Sequence, residues 1–118
     1  MKQVVFAAAL AGAAASSALA QDAGKGQAVF ESRCVGCHSL ATNRIGPALG
    51  TVVGRKAGTH PGFGYSAALK AAGHVWDAGK LEKWLANPQA LVPGAAMPFR
   101  LGDRQERKDV AAYLQSLK

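Results

Sequence analysis

Cys34-Val35-Gly36-Cys37-His38 limits this chain more than any other stretch. The two cysteines of the sequence stand three positions apart, with a histidine directly after the second. Cys-x-x-Cys-His is the attachment pattern for c-type haem. Each thiol adds to one vinyl group, and two intervening residues let the backbone turn so that both sulfurs reach one porphyrin edge. The histidine that follows presents its imidazole to the iron. A thioredoxin-like redox pair would need a βαβ setting, for which the sequence shows no pattern. Tetrahedral zinc would need four ligands, and the other histidines, His60 and His74, are poorly spaced for it. The five residues therefore predict one covalent haem, with thioether bonds to Cys34 and Cys37 and with His38 as proximal ligand.

Such a cofactor also answers a problem of size. Residues 1–20 read as a secretory signal peptide. Met1-Lys2 is a minimal charged start, Val4 to Ala15 an apolar run, and Ala18-Leu19-Ala20 places small residues before a cleavage point at Gln21. The run is shorter than the ~20 apolar residues of a membrane span. Cleavage is expected, leaving one domain at 21–118 in the periplasm. A domain that small removes only a modest share of its surface from water. A Cys-x-x-Cys disulfide would close too short a loop to staple it, so haem is the expected core filler.

The chain carries 14 Lys+Arg against 7 Asp+Glu, a formal +7, or +6 once Lys2 leaves with the leader. That excess suits docking on acidic protein surfaces, or at most peripheral contact with anionic lipid. There is no Lys/Arg run, and no footprint for nucleic acid.

Hydrophobic spacing predicts helices and loops wrapped around the cofactor, an all-α fold. One helix is expected over Asp22 to Arg33, although Gly24 and Gly26 are poor helix formers. A second runs from Ala78 to Ala86, capped by Asp77 and stopped by Asn87-Pro88, with Leu81, Trp84 and Leu85 on one face. A third follows the capping-box pattern Asp103-x-x-Glu106 and carries the stripe Val110, Tyr113, Leu114, Leu117. A shorter helix is expected from Ser66 to Ala71, ended by Gly73. Ile45 to Gly64 is rich in Gly and Pro, with no strand pattern, and a loop that long in a small domain is usually functional.

The sixth iron ligand should be a soft or imidazole donor far along the chain. Beyond the leader the one methionine is Met97, in Pro93-Gly94-Ala95-Ala96-Met97-Pro98-Phe99. Flanking prolines suit a loop that presents a thioether better than a core gap-filler. His60 and His74 are the rivals, and both read as surface residues. Two protein ligands leave no position for peroxide or substrate, so the expected role is electron transfer and not catalysis. Thioether ligation raises the potential relative to two imidazoles.

These residues resemble class I cytochromes c, the group of mitochondrial cytochrome c and bacterial cytochromes c2. The resemblance runs through Gly26-x-x-x-Phe30, Cys34 to His38, Gly46-Pro47-x-Leu49, Gly54-Arg55-Lys56-x-Gly58 and Pro61-Gly62-Phe63-x-Tyr65. It continues through Trp76, Leu85-x-Asn87-Pro88, Pro93-Gly94-x-x-Met97 and Ala112-Tyr113-Leu114. It implies the class I fold and a soluble, monomeric, single-electron carrier. Its partners would be other redox proteins, such as a terminal oxidase, a bc1-type complex or a periplasmic dehydrogenase.

The resemblance also implies residue roles. Gly26 lets the first helix cross closely against the last, where Phe30 and Tyr113 pack. The Pro47 carbonyl accepts the Nδ1–H of His38. Arg55, Tyr65 and Trp76 surround the haem propionates. This chain departs from its relatives at Trp84, where they usually have Tyr, at Ala95, where they have Thr, and at Leu69, where they have Asn. Gln89, Ala90 and Ala96 replace lysines that ring the haem edge in mitochondrial chains. The expected docking face is therefore mixed: apolar Ala48, Ala90, Val92 and Ala96, flanked by Arg33, Arg44 and Arg100.

Overall fold

The computed structural model describes residues 2–8 and 20–118. Most of the expected leader, including its apolar run from residue 9 onward, lies outside the described residues. Five helices follow one another: α1 Ala23–Arg33, α2 Ala67–Lys70, α3 Ala78–Ala86, α4 Pro88–Leu91 and α5 Arg104–Ser116. Among the described residues there is no strand, only an isolated antiparallel bridge between Lys56 and Val75.

Short polar side chains set the helix starts. Asp22 accepts a hydrogen bond from the Lys25 N–H at 3.0 Å, Asp77 from Lys80 N–H at 2.7 Å, and Asp103 from Glu106 N–H at 2.8 Å. Each satisfies a donor that the first turn leaves without an intrahelical partner. Ser66 does the same for Leu69 N–H at 3.2 Å, and Gly73, at φ +78°, turns the chain away after α2. Helix α4 was not expected. Asn87 is extended, as a residue before proline should be, and breaks α3. Proline also fits the first position of a helix, where its missing N–H has no partner to lose, so Pro88 both ends α3 and opens α4. The stripe on α5 ends sooner than its spacing suggested: Val110, Tyr113 and Leu114 are buried, but Leu117 caps the helix and is 38% exposed.

Helix α1 is the least helical by composition and is held by α5. A Cβ at Gly26 would lie 1.8 Å from the Asp109 carbonyl oxygen and 2.9 Å from Tyr113 Cβ, so only glycine permits this crossing. One turn on, Phe30 and Tyr113 meet with ring centroids 5.7 Å apart. Asp109, 3% exposed, accepts from Asp22 N–H at 3.0 Å and from the Gln105 amide at 2.9 Å, tying the start of α1 to α5. Helix α3 packs on the same helix, with Lys108 reaching Glu82 at 3.1 Å.

The crossing supports a paired prediction. Gly26→Ala should destabilise the holoprotein by about 3 kcal/mol, because overpacking outweighs the ~1 kcal/mol that alanine gains over glycine in a helix. At Gly24 the nearest atom to an added Cβ is 3.4 Å away. Gly24→Ala should therefore be neutral or stabilising. Denaturant midpoints read both, and equal shifts would remove the crossing as the cause.

Candidate haem site

The chain encloses an apolar cleft of about 350 Å³. Its walls come from every part of the fold: Phe30 on α1, Leu69 on α2, Leu81 and Trp84 on α3, and Val110 and Leu114 on α5. The loops between them bring the polar groups.

Cys34 caps the C-terminus of α1, donating its N–H to the Phe30 carbonyl at 2.9 Å. The N–H groups of Cys37 and His38 then both return to the Cys34 carbonyl, at 3.2 and 2.9 Å. This tight turn puts both cysteines on the lining of one cleft, Cys34 half-buried and Cys37 exposed, with both thiols free. Burial pushes the Cys34 thiol up to about 11, so it stays protonated and uncharged at neutral pH.

His38 Nδ1 donates to the Pro47 carbonyl at 2.8 Å. That fixes the tautomer and leaves the Nε2 lone pair available to a metal. Burial lowers the pKa of the ring below the ordinary histidine value, and the Pro47 carbonyl opposes the shift. The imidazole is therefore neutral, as a metal ligand must be. The seat depends on Gly46: a Cβ there would stand 2.2 Å from His38 Cε1. Gly46 is in turn held by its N–H to the Cys37 carbonyl at 2.8 Å.

Met97 is half-buried and lines the same cleft. Its loop is braced by Gln89, whose amide donates to the Ala95 carbonyl at 2.5 Å and whose Oε1 accepts from Gly94 N–H at 3.0 Å. Sequence reasoning treated Gln89 as an uncharged docking position, yet its amide spans the loop that carries Met97.

Arg55, Tyr65 and Trp76 also line the cleft. The Arg55 guanidinium donates to the Ala48 carbonyl at 3.0 Å and to Thr51 Oγ1 at 2.7 Å. Tyr65 OH accepts from His60 N–H at 3.2 Å, leaving its own O–H to donate. Trp76 is held by main-chain bonds, its N–H to the Arg55 carbonyl at 2.9 Å and its C=O from Gly54 N–H at 2.7 Å. Its ring meets Trp84 edge-on at 5.4 Å.

Two expectations change. Ala48 and Val92 are 3% and 5% exposed, so neither forms part of an outer patch. Both sit in irregular segments, where no periodicity reveals which way a side chain points. His74 is half-exposed, but its Nε2 is buried and its ring stands edge-on to Trp76 at 4.4 Å. Neither His60 nor His74 lines the cleft, while Met97 does. Sequence reasoning also missed Ile45, which is 77% exposed at the cleft beside Cys37 and His38.

These groups fit haem. The walls suit a flat apolar macrocycle, two thiols suit its vinyl groups, and three donors suit its carboxylates. A bare-metal reading has no support, since no group of three or more His, Cys, Asp or Glu side chains among the described residues could hold an ion.

An all-α domain closed around one covalently attached haem defines the c-type electron carriers. The cytochrome c family model matches residues 23–118, and the chain belongs to that family. It is 44% identical over 115 residues to a cytochrome c2 of Rhodopseudomonas palustris, covering 83% of this chain and all of that one. Its fold matches the ferricytochrome c2 structure from the same organism with a TM-score of 0.77 and 42% identity, over 83% of this chain and 100% of that one. Cytochrome cH from Methylobacterium extorquens matches with a TM-score of 0.75 and 41% identity, over 80% and 98%. The class I fold expected from the sequence is the fold observed. The protein carries one haem c, with Cys34 and Cys37 as its attachment pair, and passes electrons between other redox proteins; it is not an enzyme.

Proposed function

We propose that this cytochrome is a periplasmic single-electron shuttle whose iron is held by His38 and Met97. The observation that carries the reading is the shared cleft: a neutral, Pro47-anchored imidazole and the thioether of a braced loop line one apolar space with the Cys34–Cys37 pair. Bound haem supplies an iron that gains and loses one electron. The chain's part is to hold both axial side chains in place through the change, to exclude water with Phe30, Leu81, Trp84 and Leu114, and to donate hydrogen bonds to the propionates from Arg55, Tyr65 and Trp76. Rigid ligands need little rearrangement on reduction, which keeps transfer fast.

Residues 1–20 act as a cleaved leader in this reading. Val4, Val5 and Phe6 are largely exposed, so these three residues contribute nothing to the core. Among the described residues, no helix is long and apolar enough to cross a membrane. Candidate partners are a terminal oxidase, a bc1-type complex or a periplasmic dehydrogenase.

Docking takes place where the haem edge meets solvent near Cys37. With Ala48 and Val92 buried, Ala90 and Ala96 remain of the expected apolar contact and are joined by Ile45 and Val35, all exposed. Arg33 lines the cleft, Arg44 donates to the Val35 carbonyl, and Arg100 follows the Met97 loop. Lys80 lies on α3 and is not part of the cleft lining. Arginines around an apolar contact steer encounter with an acidic partner, an effect that salt screens. Electron transfer to an isolated redox partner should slow severalfold with Arg33→Glu, little with Lys80→Glu, and only modestly with added salt. Equal losses at both positions, or a steep salt dependence, would contradict this docking face.

A further inference from the structure

We propose that His74 couples proton uptake to haem reduction through its contact with Trp76. The inference rests on the reading of Trp76 as a propionate donor, but not on which residue is the sixth ligand.

The geometry singles His74 out. Its carbonyl accepts from Ala57 N–H at 2.8 Å, fixing its backbone beside the Lys56–Val75 bridge. Its ring stands at 89° to Trp76 with centroids 4.4 Å apart. Its Nε2 is buried and has no hydrogen-bond partner. Leaving a buried polar atom unpaired costs about 1–3 kcal/mol, which an apolar side chain packed on Trp76 would avoid. Trp76 itself faces the cleft. One aromatic ring therefore separates a titratable imidazole from the haem site.

The surrounding charges set the working range. Burial lowers the His74 pKa from the ordinary histidine value; Lys80 on α3 lowers it further, and Asp77 at the α3 N-cap opposes both. Arg55 and Lys56 are the charged residues of the opposing strand-like stretch, which pairs with Trp76 and Val75. The imidazole is thus neutral at neutral pH and takes a proton below the usual range of about 6.5.

A proton on His74 adds a positive charge beside the haem pocket and favours the form with one more electron. Reduction then adds one electron from the redox partner and draws a fraction of a proton from solvent onto the imidazole; oxidation returns both. Linkage requires the reciprocal effect: His74 binds its proton more tightly in the ferrous than in the ferric protein. The sign follows. The reduction potential is highest where His74 is protonated and falls as pH rises through its titration, on the acid side of about 6.5.

The test uses the holoprotein. The potential is measured from about pH 5 to about pH 8, the range in which histidine titrates, for wild type and His74→Gln. The wild type should show a fall on the acid side that His74→Gln lacks, with unchanged visible spectra. A purely structural role would alter stability and leave the pH profile in place. Independently, NMR titration of the His74 ring in the wild type should give a lower midpoint in the ferric than in the ferrous state. Superimposable potential profiles for the two proteins, or one midpoint in both oxidation states, would overturn the proposal. A wrong sixth ligand would show in the wild-type visible spectrum and leave this comparison intact.

Discussion

Cys34→Ala combined with Cys37→Ala should abolish the stable holoprotein. The residues that would otherwise form the core, among them Phe30, Val52, Leu81, Trp84, Leu85, Val110 and Leu114, are also walls of the haem cleft. They pack on one another as one cluster and still leave the cleft open between them. A dry void of 350 Å³ would cost on the order of 8 kcal/mol at the rate measured for core cavities, about the whole stability of a small domain. A flooded void would instead expose the apolar walls. Without the tethers, haem would be held only by the proposed axial pair, His38 and Met97, and by packing. Cells expressing the double variant should yield little haem-containing protein by absorbance, and little helical protein by circular dichroism. Recovery of a compact, helical, haem-free form with near wild-type stability would contradict this.

Met97→His should keep the iron six-coordinate and lower its potential. Imidazole stabilises ferric iron more than a thioether does, and axial ligands span about 0.8 V among haem proteins. A drop on the order of a tenth to a few tenths of a volt is therefore expected. The Gln89 brace on the Met97 loop and the Gly46–Pro47 seat for His38 remain in the variant, so the change is one of ligand and not of fold. The weak sulfur-to-iron band at the red end of the ferric spectrum should vanish. An unchanged potential with the band retained would place Met97 away from the iron.

What the sequence disclosed follows the range of each interaction. Asp22, Asp77 and Asp103 were readable as caps because a cap is a contact between a side chain and a backbone three residues on. Leu81, Trp84, Leu85, Val110 and Leu114 were readable because helical spacing exposes a buried face. The Cys34–His38 motif was readable because covalent attachment demands that spacing. Helix α4 was missed because Pro88 carries two local meanings, the end of one helix and the start of another. Ala48, Val92 and Ile45 were misjudged or overlooked because they lie in irregular chain, where neighbours in space are not neighbours in sequence. His74 was overlooked for another reason: its neighbour Val75 is bridged to Lys56, and in such extended chain residues i and i+2 share a side, so its ring meets Trp76. Gly26 and Gly46 are intermediate: the resemblance marked both, but only the structure shows the Asp109 carbonyl and the His38 ring occupying the space a Cβ would take.

The methyl resonance of Met97 tests the axial pair most directly. Met1 and Met97 are the two methionines of the chain, so the mature ferrous protein labelled at the methionine methyl should give one signal. Bound to iron above the porphyrin, that methyl sits in the haem ring current and should resonate far upfield of any ordinary methionine. A methyl signal at the normal methionine position in the folded, reduced protein would contradict His38–Met97 ligation.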